Sequence, residues 1–491
     1  MKKEKIKTPQ EVVDITKTLK KGGFESYLVG GCVRDMLRGV EPKDWDIATN
    51  ATPEQIIPLF EHTYYENDFG TVGIVNENTE KESVKVVEVT PYRTESGYSD
   101  KRRPDKVHFG KDIKEDLKRR DFTINAIAYD AEKHLFVDPH QGQDDLEKKI
   151  LRAVGDPLER FEEDGLRILR AIRFQAEINF TIEEETLNAI YEKREILTYI
   201  SKERIRDEFS RIINSKNPAA ALELARRLDI LKFIAPELEE GCGVKQSGAH
   251  RYDVFTHSLY SLQHAADNDW PFEVRLATLF HDVGKPRTRK INKQKKGFSF
   301  YGHEVVGAKL TEKALKRLKF PKETVREIST LVRWHMFFSD PDKISLSAIR
   351  RLLQNVGEDK IWDLMKIRFS DRKGMGVPKE QPYRLRKYQA MIEKVLSDPV
   401  SVKNLAIDGN DLIESINVKP GPSIGFILHA LLEEVIQDPE LNKRDHLLKR
   451  AKELSELDEE ELKKLGQKGK TALEKVEKER ENELLRRYNV K

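Results

Sequence analysis

The sequence predicts an α+β protein: a small mixed-sheet head followed by mainly helical neck, middle and C-terminal parts. Two patterns carry that expectation. Over residues 1–155, short runs rich in β-branched residues alternate with helical stretches, and 26–29, 45–49, 71–75, 84–90 and 134–137 read as strands. From Asp156 onward the apolar spacing is helical almost throughout. The chain has 491 residues, enough for three or four domains. We expect a head over 1–155, a helical neck over 156–216, a histidine-bearing helical part over 217–400 and a helical C-terminal part with a charged tail over 401–491. Lys419-Pro420-Gly421-Pro422 marks a turn or helix start. Gly466 and Gly469 interrupt the tail, so a long coiled coil is not expected and the tail reads as exposed, frayed helices.

Composition narrows the class. Charged residues make up 35% and hydrophobic residues 38%, with no apolar run long enough for a bilayer. The N-terminal residues carry no apolar core of an export signal, and two cysteines, Cys32 and Cys242, cannot build a disulfide framework. A cytoplasmic location is expected. Net charge is only +3, so any nucleic acid must bind through local basic patches.

Asp44-Trp45-Asp46 is the most informative feature. Alternation along a strand puts Asp44 and Asp46 on one face and Trp45 and Ile47 on the other. Two carboxylates on one face repel unless a cation sits between them, and Mg²⁺ takes one or two carboxylates plus substrate phosphates. Just upstream, Gly30-Gly31 opens a helix, where backbone can approach a phosphate. Glu88 lies on the polar side of its own strand and is either a third carboxylate or a solvated residue.

Two further motifs follow: Asp116-Leu117-Lys118-Arg119-Arg120-Asp121-Phe122-Thr123-Ile124-Asn125, and Glu163-Asp164-Gly165-Leu166-Arg167-Ile168-Leu169-Arg170-Ala171-Ile172-Arg173. Together with the first, they closely resemble the class II tRNA nucleotidyltransferases, the CCA-adding enzymes, and the related bacterial poly(A) polymerases. The resemblance spans about the first two hundred residues. It implies template-independent addition or repair of the tRNA 3′ CCA from CTP and ATP, with Mg²⁺ at Asp44 and Asp46 as the catalytic pair. It also implies nucleotide contacts from Gly30, Gly31, Arg34, Arg120, Asp121, Asn125, Asp164, Arg167, Arg170 and Arg173. Asp121, an acceptor when ionised, suits a ribose hydroxyl; Arg120 and Asn125 suit phosphates. The polar stretch 96–106 matches a flexible loop that the family needs to add the final A. A poly(A) polymerase, or an enzyme that adds only A, stands as the alternative on the same scaffold.

The third motif has a direct chemical reading. Asp164 and Arg167, three apart, would share a helix face. A carboxylate accepts from the exocyclic amine that both C and A carry, and a guanidinium donates to the ring positions beside it. U and G offer a carbonyl there, and each unpaired buried group costs roughly 1–3 kcal/mol. Glu163 would buttress Arg167 from position i−4.

Downstream, His257, the dipeptide His281-Asp282, His303, His335 and Asp371 resemble the HD superfamily of metal-dependent phosphohydrolases. The resemblance implies a metal site of His257, His281, Asp282 and Asp371, with His303 and His335 as further candidates. It also implies a second, phosphohydrolase or 2′,3′-cyclic phosphodiesterase activity. Imidazole with carboxylate suits a transition metal such as Ni²⁺ or Mn²⁺ better than Mg²⁺. Lys285 is placed to hold a phosphate, while His250 and His264 fit no ligand position.

Overall fold

The structure, a computed structural model, describes residues 8–66, 70–96, 106–110, 112–248, 250–292, 297–337, 344–376, 382–396 and 405–488. The α+β expectation holds. The head is a seven-stranded mixed sheet built from β1 (Ser26–Val29), β2 (Asp46–Thr49), β3 (Thr63–Glu66), β4 (Thr71–Val75), β5 (Val86–Pro91), β8 (Ala128–Asp130) and β9 (Leu135–Val137), in the order β3-β4-β5-β2-β1-β8-β9. Between β5 and β8 in sequence, β6 (Arg93–Ser96) and β7 (Lys106–Phe109) form a separate antiparallel hairpin. Most of the loop expected over 96–106 lies outside the described residues.

The centre of the sheet places the first motif. β2 runs parallel to β5 with Asp46 opposite Glu88, and antiparallel to β1 with Asp46 opposite Val29. Trp45 and Ile47 are buried with Leu28, Val72, Val87 and Val89, so the expected alternation about Asp46 is realised. Several strands escaped the sequence pattern, among them three in the head. Thr63–Glu66 is polar and aromatic at an edge, the hairpin strand Lys106–Phe109 follows a polar stretch, and Ala128–Asp130 is only three residues long. Residues 82–85, partly expected in a strand, form a helical turn before β5.

The chain divides into two compact units. One comprises Met1–His335 with Lys366–Val377; the other comprises Met336–Met365 with Pro378–Lys491. In the first, helices from Pro157–Glu163 onward carry the second half of the head site and the histidine cluster. In the second, the helix Pro422–Gln437 starts where the Pro-Gly-Pro signal placed it. The tail corrects the sequence reading: Glu459–Arg487 is a single 29-residue helix that runs through both glycines. A Cβ at Gly466 would lie 2.8 Å from the Phe426 Cα, so the glycine permits close helix contact instead of breaking the helix. Among the described residues, no helix is long and apolar enough to cross a membrane.

Candidate functional site: an acidic strand edge and a buried histidine cluster

Gly30 sits between β1 and the helix Gly31–Leu37 with φ +75°, a backbone region that costs glycine little. A Cβ there would meet the Arg120 guanidinium at 3.1 Å and the Asp46 carboxylate at 3.4 Å. The glycine therefore brings backbone, Arg120 and Asp46 into one small space, as the first two motifs require. Burial, and then the carboxylates of Asp44 and Glu88, push Asp46 up to about 7, against the opposing pull of Arg120. Glu88, opposite Asp46 in the sheet and itself exposed, is one of the carboxylates that raise Asp46. Three carboxylates facing one guanidinium leave a local excess of negative charge.

The second motif is organised by buried ion pairs. Arg119 and Arg120 both reach the buried Asp116, at 2.6 and 3.2 Å, so Arg120 pairs back onto the preceding helix, Ile113–Lys118, and not with its neighbour Asp121. Asp121 accepts from the Phe122 amide, from Asn125 Nδ2 at 3.1 Å and twice from Arg170, at 2.9 and 2.5 Å. Although burial opposes ionisation, Arg170 and Asn125 hold the Asp121 carboxyl well below its usual range. With four donors engaged, Asp121 fixes Arg170 and Asn125 in place. Asn125 Oδ1 in turn accepts from Arg34 at 2.9 Å. Arg173 is buried, ion-paired with Glu208 at 3.0 Å and set 4.6 Å from the Phe174 ring centre, while Arg34 and Arg170 face the same ring at 5.3 and 5.5 Å. Glu208 escaped the sequence reading because it lies on a different helix, Lys202–Asn214, with no motif of its own.

The third motif departs from expectation in one respect. Asp164 and Arg167 do not share a helix. One helix ends at Glu163 and the next begins at Leu166, leaving Asp164 extended at φ −141°. Asp164 accepts from the Leu166 amide at 3.1 Å and is gripped by both guanidinium arms of Arg204, at 3.2 and 2.9 Å. Arg167 is held by Glu163 at 2.6 Å, the predicted buttress, and by the Arg160 and Arg119 carbonyls at 2.9 and 3.0 Å. Both side chains are locked by neighbours, by a break and two separate partners where sequence suggested one helical face. Arg204 gave no sequence signal.

The histidine residues do converge. His257 lies on the helix Val254–Asp267, His281 caps Phe272–Phe280, His303 begins His303–Arg317, His335 caps Lys322–Trp334, and Asp371 lies on Ile361–Gly374. With Asp282, these residues are at most 5% exposed. Nδ1 of His281, His303 and His335 each contacts a carbonyl three residues back, Thr278, Phe300 and Val332, at 2.7–2.8 Å. Those carbonyls can only accept, so each Nδ1 carries a proton and each ring turns its Nε2 inward. His257 Nε2 and His281 Nε2 stand 3.1 Å apart, and His303 Nε2 and His335 Nε2 stand 3.3 Å apart. Two imidazole nitrogens held that close need a proton or a cation between them.

Asp282 joins the two groups. Its Oδ2 faces His257, His281 and the Lys285 ammonium, at 3.3, 3.2 and 2.5 Å, and its Oδ1 faces His303 and His335, at 3.3 and 3.8 Å. Asp371 faces His257 at 3.3 Å and is itself paired with Arg368. Two sets of side chains therefore offer metal-ligand atoms: His257, His281, Asp282 and Asp371, and Asp282, His303 and His335. His250, set aside by sequence, packs edge-on against His257 with ring centres 4.9 Å apart. His264 bonds Ser370 at 3.0 Å.

The fold and the acidic strand edge define a nucleotidyltransferase. A family model described as the poly A polymerase head domain matches residues 26–152. One described as the probable RNA and SrmB-binding site of polymerase A matches 179–242, and one for tRNA nucleotidyltransferase domain 2 matches 304–451. The chain is 32% identical over 449 residues to the CCA-adding enzyme of Limosilactobacillus reuteri, covering 90% of this chain and 96% of that one. It is 33% identical over 451 residues to that of Ligilactobacillus salivarius, covering 91% and 97%. The chain belongs to the CCA-adding enzyme family. Among solved structures, that of the Bacillus stearothermophilus CCA-adding enzyme in complex with CTP matches with a TM-score of 0.58 and 26% identity, over 91% of this chain and 98% of that one. A Thermotoga maritima CCA-adding enzyme complexed with tRNA shares the fold, at a TM-score of 0.52 and 19% identity.

Proposed function

We propose that this protein builds or repairs the 3′ CCA end of tRNA from CTP and ATP, without a nucleic-acid template, and carries a second, phosphohydrolase site in its histidine cluster. The observation that best supports the first activity is the Asp44–Asp46–Glu88 group set against Arg120 and the Gly30 backbone. The negative excess that raises Asp46 fits a divalent cation, and Asp44 and Asp46 would hold Mg²⁺. When bound, Mg²⁺ activates the RNA 3′-hydroxyl and neutralises triphosphate charge.

The chain's own residues then do the selecting. Arg120, Arg34 and Asn125 present donors where a triphosphate would lie. Asp164, oriented by Arg204, accepts from the exocyclic amine of C or A, and Arg167, oriented by Glu163, donates beside it. Both partners are pre-set, so U and G meet acceptor against acceptor. The poly(A) alternative loses ground to the CCA-adding relatives, which match along nearly the whole chain. The test is a tRNA lacking its CCA, given CTP alone, ATP alone or both. Stepwise addition of two C and one A is expected; a long A ladder from ATP alone contradicts it.

For the second activity, the facing Nε2 atoms and the shared Asp282 fit transition-metal ions. His257, His281, Asp282 and Asp371 would hold one, and Asp282, His303 and His335 a second. Such ions activate water for attack on a phosphate ester. Lys285, 2.5 Å from Asp282, is placed to receive the phosphate charge. Substrates with 2′,3′-cyclic or terminal phosphates suit this chemistry, and repairing damaged tRNA ends before extension is its natural use. Hydrolysis of 2′,3′-cyclic CMP with Ni²⁺ or Mn²⁺ is the expected result, and none under any metal would leave the cluster a scaffold.

A further inference from the structure

Between the ligands Asp282 and His303 the chain makes an excursion that the two activities leave unused. Residues 283–303 contain seven Lys or Arg, three aromatic residues and no Asp or Glu. In a protein of net charge +3 this is a marked local concentration of cations. Lys290–Asn292 and Gly297–Ser299 pair antiparallel as a hairpin, and residues 293–296 between them lie outside the described residues.

The base of the hairpin is wired to the cluster. Lys285 contacts Asp282 and donates to Gln246 Oε1 at 2.6 Å; the adjacent Ser247 Oγ accepts from the Phe298 amide at 2.6 Å. On the other side the Phe300 carbonyl fixes His303. Of the described cations, Arg287 is paired with Glu240, Arg289 lies 3.7 Å from the Phe298 ring centre, and Lys290 is exposed. Ile291 is 77% exposed, and Tyr301, two residues before the ligand His303, is 82% exposed.

Cations that track a backbone, interleaved with aromatic faces on which bases stack, are the elements of a single-stranded nucleic-acid platform. We propose that this hairpin binds the 3′-terminal nucleotides of RNA, stacking the last base on Tyr301 and setting upstream phosphates against Arg289 and Lys290. The terminal phosphate is thereby delivered to Asp282 and Lys285. This rests on the phosphohydrolase reading of the cluster and names its substrate class: an RNA 3′ end, not a free nucleotide.

The full-length protein with Mn²⁺ or Ni²⁺ is assayed on a short oligoribonucleotide ending in 2′,3′-cyclic phosphate and on 2′,3′-cyclic CMP. Lys290→Ala, which removes a contact only the longer substrate can make, should raise KM for the oligonucleotide roughly tenfold with little change in kcat. The KM for 2′,3′-cyclic CMP should move less than twofold. Tyr301→Ala should raise KM for both, and both exposed substitutions leave the fold intact. An unchanged oligonucleotide KM in both variants overturns the platform. Photo-crosslinking separates its failure from failure of the hydrolase reading. If no metal supports hydrolysis, a 3′-phosphorylated oligonucleotide with 4-thiouridine at its terminus should still crosslink within 289–301. Crosslinks confined to the head overturn the proposal. Poly-glutamate competing as well as RNA, and insensitive to Tyr301→Ala, reassigns the hairpin to an acidic protein surface and overturns it too.

Discussion

Asp46 stands at the start of a strand, partly open to solvent, with Asp44 and Glu88 as its carboxylate neighbours and one guanidinium to offset them. Asp282 stands in a closed interior, with four imidazoles and an ammonium around its two oxygens and three of those imidazoles fixed by backbone carbonyls. The head cluster is rich in negative charge and open, as suits a site that takes up Mg²⁺ together with a triphosphate. The histidine cluster is closed, and three of its imidazoles are oriented by second contacts, as suits the proposed metal site. One half of the molecule leaves charge unbalanced for an incoming substrate; the other supplies partners in advance.

The largest consequence concerns the head. Asp44→Ala and Asp46→Ala should each reduce nucleotide addition by about a hundred- to a thousandfold at saturating Mg²⁺, the range seen when electrostatic transition-state stabilisation is removed. Near-normal incorporation by either variant breaks the comparison, because the acidic edge would then be ordinary surface.

Stability should respond in opposite directions in the two clusters. Asp282→Ala strands the buried Lys285 ammonium, and losing one partner of a buried pair costs about 3–5 kcal/mol. Thermal or urea melts of the metal-free protein read this directly. Asp46→Asn should instead stabilise the metal-free protein at pH 8. Asp46 titrates at about 7 in the folded chain against 3.8 for an ordinary aspartate. Between those values the folded state holds the extra proton, so stability falls as pH rises from about 4 to 7. Removing the charge should restore on the order of 4 kcal/mol at pH 8, less whatever solvent screens, and little at pH 4. A pH-independent difference would place Asp46 outside the acidic cluster.

Base selection gives a smaller effect. Asp164→Ala or Arg167→Ala should narrow the preference for CTP and ATP over UTP and GTP by roughly ten- to a hundredfold, as expected for one or two polar contacts worth about 1–3 kcal/mol each. Single-turnover incorporation of the four nucleotides measures it. Equal slowing for all four would leave the two residues as structural ion pairs.

Much of this was legible in the sequence because its chemistry is local. The alternation about Asp46 buried Trp45 and Ile47 as expected, although Asp44 lies in the bend just before the strand, and the i−4 spacing put Glu163 on Arg167. Spaced histidines and aspartates announced the second cluster, although neither its shared Asp282 nor its inward-turned Nε2 atoms could be read from spacing. What sequence missed lies in contacts between distant segments. Arg204 and Glu208, on one helix, hold Asp164, in the break between two others, and Arg173, on the second of those. The break at Asp164 was hidden because its flanks are both strongly helical, and Gly165 by itself does not fix where a helix stops. Gly466 misled for the converse reason: its role is set by Phe426, forty residues away, not by its own helix propensity.

The central claim is that the two clusters are separate active sites with different metals. His281→Ala tests it most directly, because it removes a ligand from the histidine cluster while leaving the Asp282–Lys285 pair in place. Both activities are measured in one preparation: CCA addition to truncated tRNA with Mg²⁺, and hydrolysis of 2′,3′-cyclic phosphate with Ni²⁺ or Mn²⁺. The account predicts hydrolysis lost and CCA addition within about twofold of the unmodified protein. Loss of CCA addition in a variant that still melts cooperatively, or hydrolysis that persists, would contradict it.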